Sequence, residues 1–322
     1  MDIAVSVVCN AYNQETYIRD ALEGFVMQKT NFKFEVLVHD DASTDKTADI
    51  IREYEAKYPD LIKPIYQTEN QYSKGTGEVS KLQYERAKGK YIAICEGDDY
   101  WTDPMKLQKQ YDALEAHPEV DICTHKAETV KADTKEHIEY LEPADKDTVI
   151  PVGQVIKGGG GYVATNSIMY RSDINLNMPE FRKIRKYDYS LQIHGSLRGG
   201  MLYLNECMSV YRVMAKNSWT VSVSENNEKF VKYIDLLIKS LEMLNKETDY
   251  KYDKIISDLI IKHELRKLRR LKEYKQMKQK KYRHLLSFKE RTYINVCIWF
   301  PFIIKIRDKL KHYWWRNNNR GQ

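Results

Sequence analysis

Residues 91–99 read YIAICEGDD, a short and largely apolar run that ends in a cluster of acids. Such a run is typical of a strand buried on both faces of a parallel sheet. Two earlier runs have the same character, Ile3–Cys9 and Phe34–Val38, and the second is soon followed by Asp40 and Asp41. The sequence therefore predicts parallel strands with carboxylates at their ends.

Segments with helical spacing separate these strands. Thr16–Gln28 carries its apolar residues on one face, and Val79–Ala87 precedes the quoted strand. Between them, Asp45–Tyr58 follows Ser43, which is a candidate N-cap. Strands that alternate with helices predict βαβ units and an α/β fold with a mostly parallel sheet flanked by helices. Ligands of such sheets bind beyond the carboxyl ends of the strands, so we expect the two acidic clusters to share one crevice.

The pattern changes in the second part of the chain. Residues 127–152 are polar and predict irregular structure, whereas Asp188 opens a helix that runs to Leu197. Two short strands are predicted at Met201–Leu204 and Met208–Val213, and from Phe230 onward the spacing is helical. These signals predict a C-terminal helical extension.

Length and composition narrow the class of protein. The chain has 322 residues, of which 42% are hydrophobic and 30% charged, so it can bury a core and is unlike collagen or a disordered chain. Five cysteines stand far apart without a CxxC pair, which argues against a zinc knuckle or a disulfide scaffold and favours a reducing cytosol. The N-terminus shows no signal-peptide pattern, so we expect a cytoplasmic protein.

The net charge of +6 hides a strong asymmetry. Residues 251–322 hold 21 Lys and Arg against 6 Asp and Glu, whereas residues 1–250 hold 31 against 40. The protein is therefore an acidic body with a basic tail. Nucleic acid and an anionic membrane surface are the two partners that suit such a tail.

The acids that follow the quoted strand predict a divalent metal site. Carboxylate oxygens at a strand end can hold Mn2+ or Mg2+ and leave coordination places for phosphate oxygens. Asp98 is the first choice as ligand, with Asp99 or Glu96 assisting. The alternative is that these acids only solvate a turn or cap a helix.

Three motifs together resemble the family 2 glycosyltransferases, which have the Rossmann-like GT-A fold. They read VSVVCNAYNQETYIRDALEGFVMQ, FEVLVHDDASTDKTADII and AKGKYIAICEGDDYWTDPMKLQKQ, in the family's order. The resemblance is close over residues 3–125 and recovers over residues 188–219. The segments EGDDYW and MSVYR are similar to those of bacterial enzymes that build capsular or other surface polysaccharides.

The resemblance implies a hexosyl transfer, with inversion, from a nucleotide-diphosphate sugar to a saccharide or lipid-linked saccharide. Asn10, Ala11 and Tyr12 match positions that line the nucleotide base pocket, and Asp41 matches a residue that contacts the base, usually the uracil of a UDP-sugar. Asp98 matches the metal-binding acid and therefore belongs to the donor site as well.

The resemblance also implies that Asp188 is the catalytic base, because an inverting transfer needs a carboxylate to accept the proton of the acceptor hydroxyl. The alternative for Asp188 is an ordinary helix N-cap. The chain departs from the family at Glu96, where an Asp is usual, and at Met214, where a His often stands. Lys74, Lys81 and Arg212 could contact phosphate, but the simpler interpretation of each is a solvated surface charge.

The basic tail ends in an apolar and aromatic stretch. Lys262–Arg291 carries 13 basic and 3 acidic residues, and Tyr293–Ile306 reads YINVCIWFPFIIKI, which is shorter than a membrane span. Aromatic residues beside dense Lys and Arg predict an interfacial helix on anionic lipid, at the inner face of the plasma membrane. The alternative is a helical appendage that packs on the body or on a second subunit, as in a homodimer.

We divide the chain into a GT-A domain, 1–225, and the C-terminal extension, 226–322. The domain has a nucleotide-sugar half, 1–125, and an acceptor half, 126–225.

Two other functions are alternatives to glycosyl transfer. A sugar nucleotidyltransferase would need a Gly-rich basic loop after the first strand, where CNAYNQET stands. A nucleic-acid-binding protein would need base-stacking aromatics among the basic residues, so no nucleic acid is expected.

Overall fold

The computed structural model describes residues 2–74, 78–184, 188–216, 218–300 and 302. Within these ranges ten strands form one sheet. The strands are β1 (Ile3–Ala11), β2 (Lys33–Asp40), β3 (Ile62–Tyr66), β4 (Tyr91–Ile94), β5 (Tyr100–Trp101), β6 (Ile122–Lys131), β7 (His137–Leu141), β8 (Thr148–Ile150), β9 (Met169–Arg171) and β10 (Met201–Val213). The helices are α1 (Ile18–Val26), α2 (Thr47–Lys57), α3 (Glu78–Arg86), α4 (Lys106–Ala116), α5 (Val152–Gly158), α6 (Glu180–Ile184), α7 (Asp188–Ser196), α8 (Trp219–Glu225), α9 (Asn227–Glu247), α10 (Asp253–Leu271), α11 (Tyr274–Met277) and α12 (Phe288–Trp299).

The sheet has the order β3-β2-β1-β4-β9-β6-β10-β5, with β7 beside β6 and β8 beside β10. β1 pairs in parallel with β2 and β4, and β2 pairs in parallel with β3. β6 and β10 are also parallel, whereas β9 joins β4 to β6 by antiparallel pairing. The predicted α/β fold, a mostly parallel sheet flanked by helices and followed by a helical extension, is confirmed.

Apolar clusters cover both faces of the sheet. One contains Phe25 of α1, Ile51 of α2 and Leu107 of α4. The other contains Leu191 of α7 and Leu241 of α9, with further side chains from α5 and α10. Complete burial of each such side chain stabilises the fold by roughly 1.5–3 kcal/mol. The first helices of the C-terminal extension thus pack in the same apolar cluster as residues of the sheet.

The prediction of irregular structure over residues 127–152 was wrong. β6 continues to Lys131, and β7 and β8 follow it. All but the last residue of β7 are exposed, and β7 pairs only with β6 among the described strands. Such a strand lacks the alternating apolar pattern of a half-buried strand, so its composition resembles that of a loop.

The two short strands predicted between residues 201 and 213 are one continuous strand, β10. The polar residues that suggested a break, Asn205 and Glu206, lie where the register against β6 shifts between Leu204 and Ser209. A bulge bends a strand and frees residues from pairing without ending the strand, which is why the sequence looked like a turn.

Ser43 was predicted to cap the helix after β2, but α2 begins at Thr47. Ser43 instead accepts a hydrogen bond, through Oγ, from the backbone N–H of Asn13 at 2.9 Å. Asn13 Oδ1 in turn accepts from the backbone N–H of Thr44 at 2.7 Å. The turn after β1 and the turn after β2 are therefore bound to each other.

The C-terminal extension is helical, as predicted, but broken. α10 ends at Leu271, and Lys272 caps it in the left-handed conformation with φ 59°. The later elements form a third apolar cluster that includes Leu268, Tyr282 and Ile294. Within the described part of the chain, no helix combines the length and the apolar character that crossing a bilayer requires. The final part of the predicted interfacial segment, residues 303–322, lies outside the described residues.

Candidate active site

The ends of β1, β2 and β4 meet at one edge of the sheet. The Asp41 N–H donates to the Ala11 carbonyl oxygen at 2.9 Å, and the Gly97 N–H donates to the Asn10 carbonyl oxygen at 3.0 Å. The two acidic clusters thus flank the end of β1, as their positions after parallel strands imply. We call Asn10, Ala11, Asp41 and residues 96–99 the donor edge.

Gly97 allows the acidic turn to approach α1 closely. A Cβ atom at this position would lie 2.4 Å from Gln14 Oε1, 2.9 Å from Ile18 Cδ1 and 3.2 Å from the Ala11 Cβ. Two of these distances are shorter than van der Waals contact permits. A side chain at position 97 would therefore require the ends of the Gln14 and Ile18 side chains to move.

Glu96 binds the end of β1. Its carboxylate accepts a hydrogen bond from the Asn10 backbone N–H at 3.2 Å and another from Asn10 Nδ2 at 3.3 Å. Burial, followed by the charges of Asp188 and Asp98, raises the pKa of the Glu96 carboxyl to about 8. Glu96 therefore lies within electrostatic range of both the predicted metal ligand and the predicted base.

Asp41 is buried and orders the segment after β3. Its Oδ1 accepts from the Gln71 backbone N–H at 2.7 Å, and its Oδ2 accepts from the Tyr72 backbone N–H at 2.9 Å. Asn70 Nδ2 donates to the Asp41 carbonyl oxygen at 3.2 Å. A carboxylate has about four acceptor positions, so these bonds leave capacity for a ligand. Tyr12, by contrast, is exposed beside this edge.

Asp98 and Asp99 are both fixed by Arg212. The Asp98 carbonyl oxygen accepts from one guanidinium nitrogen at 2.7 Å, and Asp99 Oδ1 accepts from the Arg212 backbone N–H at 2.8 Å. Burial raises the pKa of Asp98, and burial together with the Asp98 charge raises the pKa of Asp99. The Arg212 charge lowers both pKa values.

These contacts decide how a divalent cation would fit. Among the described residues, no group of three His, Cys, Asp or Glu side chains is arranged to hold a metal ion. The Glu96 carboxylate binds Asn10, and the Asp99 carboxylate binds Arg212. Yet the desolvated charges of this cluster repel one another, which a cation would relieve. The residues fit a cation held by Asp98 and by phosphate oxygens of a ligand.

Asp188 is the first residue of α7. Its Oδ2 accepts a hydrogen bond from Thr165 Oγ1 at 2.6 Å, and the residue is exposed. Its charge acts on Glu96, so it lies within electrostatic range of the donor edge. An exposed carboxylate held by a hydroxyl donor can accept a proton from a bound hydroxyl group.

Two buried polar residues beside the candidate site had no clear signal in the sequence. Gln83 is completely buried, and its Nε2 donates to the Leu37 carbonyl oxygen at 3.0 Å and to the Cys9 carbonyl oxygen at 3.3 Å. It thereby joins α3 to β1 and β2. Arg212 was interpreted as a surface charge but is buried. A polar side chain in an amphipathic segment does not show by itself which face it will take.

A cleft of about 650 Å³ lies between α3 and the segment that leads into α6. Its lining residues are Lys81, Tyr84, Glu85, Asn175, Leu176, Asn177, Met178 and Lys183. Burial raises the pKa of the Tyr84 phenol, and the Asp188 charge contributes to the rise. This cleft therefore lies on the side of the site where Asp188 stands. Of the lysines named above as candidate phosphate contacts, Lys81 lines this cleft, together with Lys183. Lys74 instead forms an ion pair with Glu69, with 2.8 Å between Nζ and Oε2.

The fold and the acidic edge define an α/β domain of the GT-A class. Residues 6–195 match the family described as Glycosyl transferase family 2, and the chain belongs to this family. The interpretation of the three sequence motifs is thus confirmed.

Relatives agree with this assignment. An uncharacterized protein of Mycobacterium tuberculosis (strain ATCC 25618 / H37Rv) is 39% identical over 220 residues, which are 67% of this chain and 60% of the relative. The chain therefore spans about 60% of the length of the mycobacterial proteins that it matches. The putative teichuronic acid biosynthesis glycosyltransferase TuaG of Bacillus subtilis (strain 168) is 36% identical over 110 residues, or 34% of this chain and 41% of TuaG.

Solved structures share the fold. The crystal structure of S. aureus TarS 1-349 in complex with UDP has a TM-score of 0.54 at 20% identity, covering 74% of this chain and 65% of that one. The mannosyltransferase PcManGT from Pyrobaculum calidifontis, in complex with GDP-Man and Mn2+, has a TM-score of 0.52 at 14% identity. The match covers 94% of this chain and 83% of that one.

Proposed function

We propose that this protein is an inverting, metal-dependent hexosyltransferase that moves a sugar from a UDP-sugar to a saccharide acceptor. The observation that carries the proposal is the convergence of Glu96, Asp98 and Asp188 beyond the strand ends of a GT-A domain. Inversion needs one base on the face of the sugar opposite the leaving group, and Asp188 is the carboxylate that stands apart from the donor edge.

The donor would bind along the donor edge. Asn10, Ala11, Tyr12 and Asp41 would surround the base, with the segment ordered by Asp41 as one wall. TarS is a structural neighbour solved with UDP and with UDP-GlcNAc, which supports uracil as the base. PcManGT was solved with GDP-Man, so the fold alone admits either nucleotide.

Asp98 would hold the divalent cation, Mn2+ or Mg2+, together with the donor diphosphate, with Asp99 and Glu96 shaping its surroundings. When bound, the cation stabilises negative charge on the leaving diphosphate. PcManGT, solved with Mn2+, supports a metal in this fold. Burial raises the pKa values of the Glu96 and Asp98 carboxyls, and a bound cation would lower both values by favouring the charged carboxylates.

The transfer itself would be a single displacement. The acceptor hydroxyl oxygen forms a bond to the anomeric carbon while the bond from that carbon to the diphosphate oxygen breaks. Asp188 takes the hydroxyl proton, and the nucleoside diphosphate leaves with the bonding electron pair. Thr165 Oγ1, which donates to Asp188 Oδ2 at 2.6 Å, would hold the carboxylate in place for this proton transfer.

The acceptor would lie in the cleft between α3 and α6. Its walls combine the Tyr84 ring and phenol with the amides of Asn175 and Asn177, and such a mixture suits a saccharide, which has apolar faces and polar rims. The likeness to TuaG, a putative teichuronic acid biosynthesis glycosyltransferase, supports an acceptor in bacterial surface polysaccharide synthesis.

The C-terminal extension would bind an anionic membrane surface at the cytoplasmic side. Near the end of the described chain, Phe288 and Trp299 are 78% and 73% exposed, and Phe300 and Phe302 are also exposed. Lys289 and Arg291 stand on the same helix, α12. Exposed aromatic side chains beside basic ones favour the interface of an anionic bilayer, where a lipid-linked acceptor would be found.

A donor screen tests the catalytic proposal. The full-length protein would be incubated with UDP-, GDP- and dTDP-sugars, with Mn2+, Mg2+ or EDTA, and release of the nucleoside diphosphate would be followed. We expect release from a UDP-sugar that EDTA abolishes. Release that is unaffected by EDTA would refute the metal dependence, and pyrophosphate formation from UTP and a sugar phosphate would instead indicate a nucleotidyltransferase.

Vesicle sedimentation tests the membrane proposal. The protein and a variant with Trp299, Phe300 and Phe302 all changed to Ser would be compared on vesicles with and without 30% phosphatidylserine, about the charge density that attracts basic segments. We expect the protein to sediment with anionic vesicles and the variant to stay in solution. Equal sedimentation of both proteins would exclude these aromatics as the anchor, and a salt-sensitive shift with RNA alone would favour nucleic acid.

A further inference from the structure

Arg212 is a buried cation in the second part of the sheet. It lies on β10, and its side chain is only 1% exposed. The guanidinium carbon lies 4.4 Å from the centre of the Tyr100 ring and 5.2 Å from that of the Tyr17 ring. A charge removed from water in this way must be compensated by specific partners, so its surroundings indicate what it does.

The partners of Arg212 are the two consecutive acids of the donor edge. Its guanidinium donates to the Asp98 carbonyl oxygen at 2.7 Å, and its backbone N–H donates to Asp99 Oδ1 at 2.8 Å. One residue of β10 thus fixes the main chain of Asp98 and the side chain of Asp99. These two contacts therefore hold the backbone from which the Asp98 carboxylate projects.

A third contact ties this arrangement to α1. The other terminal guanidinium nitrogen of Arg212 binds Asp20 Oδ2, which also accepts from Lys135 Nζ at 2.8 Å. Burial alone would raise the pKa of Asp20, but Lys135 and Arg212 together lower it. Arg212 is therefore held by an ionised carboxylate on one side while it holds the acidic turn on the other.

We propose that Arg212 is a positioning residue for the metal and the diphosphate, and not a phosphate contact. Its buried guanidinium is engaged by Asp98 and Asp20, so it acts on the cation only through the orientation of Asp98. This inference rests on the proposed function, because it assigns Arg212 a role within that same site. Lysine cannot replace it, since a single ammonium group lacks the planar fork that reaches both partners.

Direct binding of Mn2+ in the presence of UDP, measured by isothermal titration calorimetry, tests this inference. We expect Arg212→Lys to weaken Mn2+ binding by about tenfold, as is common for residues that orient a metal ligand, and Arg212→Gln to weaken it further. Asp20→Asn, which leaves Arg212 in place but removes its anchor, should have a smaller effect in the same direction.

Arg171→Lys is the matched control. Arg171 is also largely buried, and it donates to the carbonyl oxygens of Val120 and Leu114 near the opposite edge of the sheet. Its replacement should lower the melting temperature without changing Mn2+ affinity. Wild-type Mn2+ affinity in Arg212→Lys and Asp20→Asn would overturn the inference, even if Arg212→Gln failed to fold. Absence of Mn2+ and UDP binding by the wild-type protein would overturn the proposed function itself.

Discussion

The donor edge and the C-terminal extension use charged residues in opposite ways. At the donor edge the carboxylates of Glu96 and Asp99 are desolvated, and Asn10 and Arg212 hydrogen-bond to them. In the extension the ion pairs, such as Arg269 with Glu290 at 2.7 Å, are about half exposed. Exposed pairs of this kind typically contribute less than about 1 kcal/mol each.

The difference shows that burial, and not the number of charges, determines what a charged segment can do. A few desolvated acids create a field strong enough to bind a cation, because water screens them poorly. The many basic residues of the extension stay hydrated, and they can act only on a partner that is itself a charged surface. Substitutions at the two regions should therefore differ sharply in effect.

The largest effect is expected at the proposed base. Asp188→Asn keeps the shape and the hydrogen bond to Thr165 but cannot accept a proton, so transfer should fall by about 100-fold or more. Binding of UDP, measured by calorimetry, should be unchanged because Asp188 lies apart from the donor edge. Transfer at the wild-type rate would remove Asp188 from the mechanism.

The next effect concerns the metal. At a Mn2+ concentration of 100 times the dissociation constant, with UDP present, the wild-type protein should gain about 2.7 kcal/mol of stability. The Asp98→Ala variant should gain no stability from Mn2+, because it lacks the carboxylate that would hold the cation. Thermal unfolding with Mn2+ or EDTA measures this gain. An equal gain in both proteins would place the cation elsewhere.

A smaller effect is expected from backbone packing beneath the donor edge. Gly97→Ala would force a Cβ against Gln14 and Ile18 and should destabilise the protein by about 1–3 kcal/mol. Gly161→Ala is the matched control, because a Cβ there meets nothing within 4 Å. Chemical denaturation compares the two. Similar stability of both variants would show that the acidic turn can move away from α1.

A further effect, seen only as a dependence on pH, separates a buried lysine from the exposed ones. Lys106 is completely buried, with its Nζ 2.7 Å from Gln110 Oε1, and burial lowers its pKa to about 7. The unfolded chain binds this proton up to about pH 10.5, the ordinary pKa of lysine, so stability should rise with pH between about 7 and 10.5.

Lys106→Met should abolish this rise, and it should stabilise the protein most at and below about pH 7. Lys278→Met, at an exposed position of the C-terminal extension, is the control and should leave the pH profile unchanged. Melting temperatures measured from pH 6 to pH 10, in steps of about one unit, follow both variants. Parallel profiles for Lys106→Met and the wild-type protein would contradict a lowered pKa at Lys106.

Strands β1, β2 and β4 could be predicted because each is largely buried and contains an apolar run. Val5 and Val7 of β1, and Ile92 of β4, are at most 1% exposed, which matches the uninterrupted run of residues in each strand. Parallel pairing then places the strand ends together, so Asp41 and Asp98 could be assigned to one edge.

The second part of the sheet could not be predicted equally well. β7 is exposed and β10 bends at a bulge, so neither carries a continuous apolar pattern. Arg212 was missed for a different reason. Its burial depends on contacts with Asp20 and with the acidic turn, which are distant in sequence. The residues next to Arg212 in the sequence do not indicate these contacts.

The antiparallel direction of β9 has a consequence for how this protein could diversify. Arg171 ends β9 opposite Tyr91, the first residue of β4, which is the far edge of the sheet from the donor edge. The chain must then return across one face through residues 172–184 before it reaches Asp188, and this return path forms one wall of the cleft. Residues 175–178 of this path line the cleft without being buried, so their number and composition can change without shifting any strand that carries the donor edge. Recognition of a new acceptor could thus evolve by insertion or deletion in one surface segment, while the machinery for the sugar donor is inherited intact.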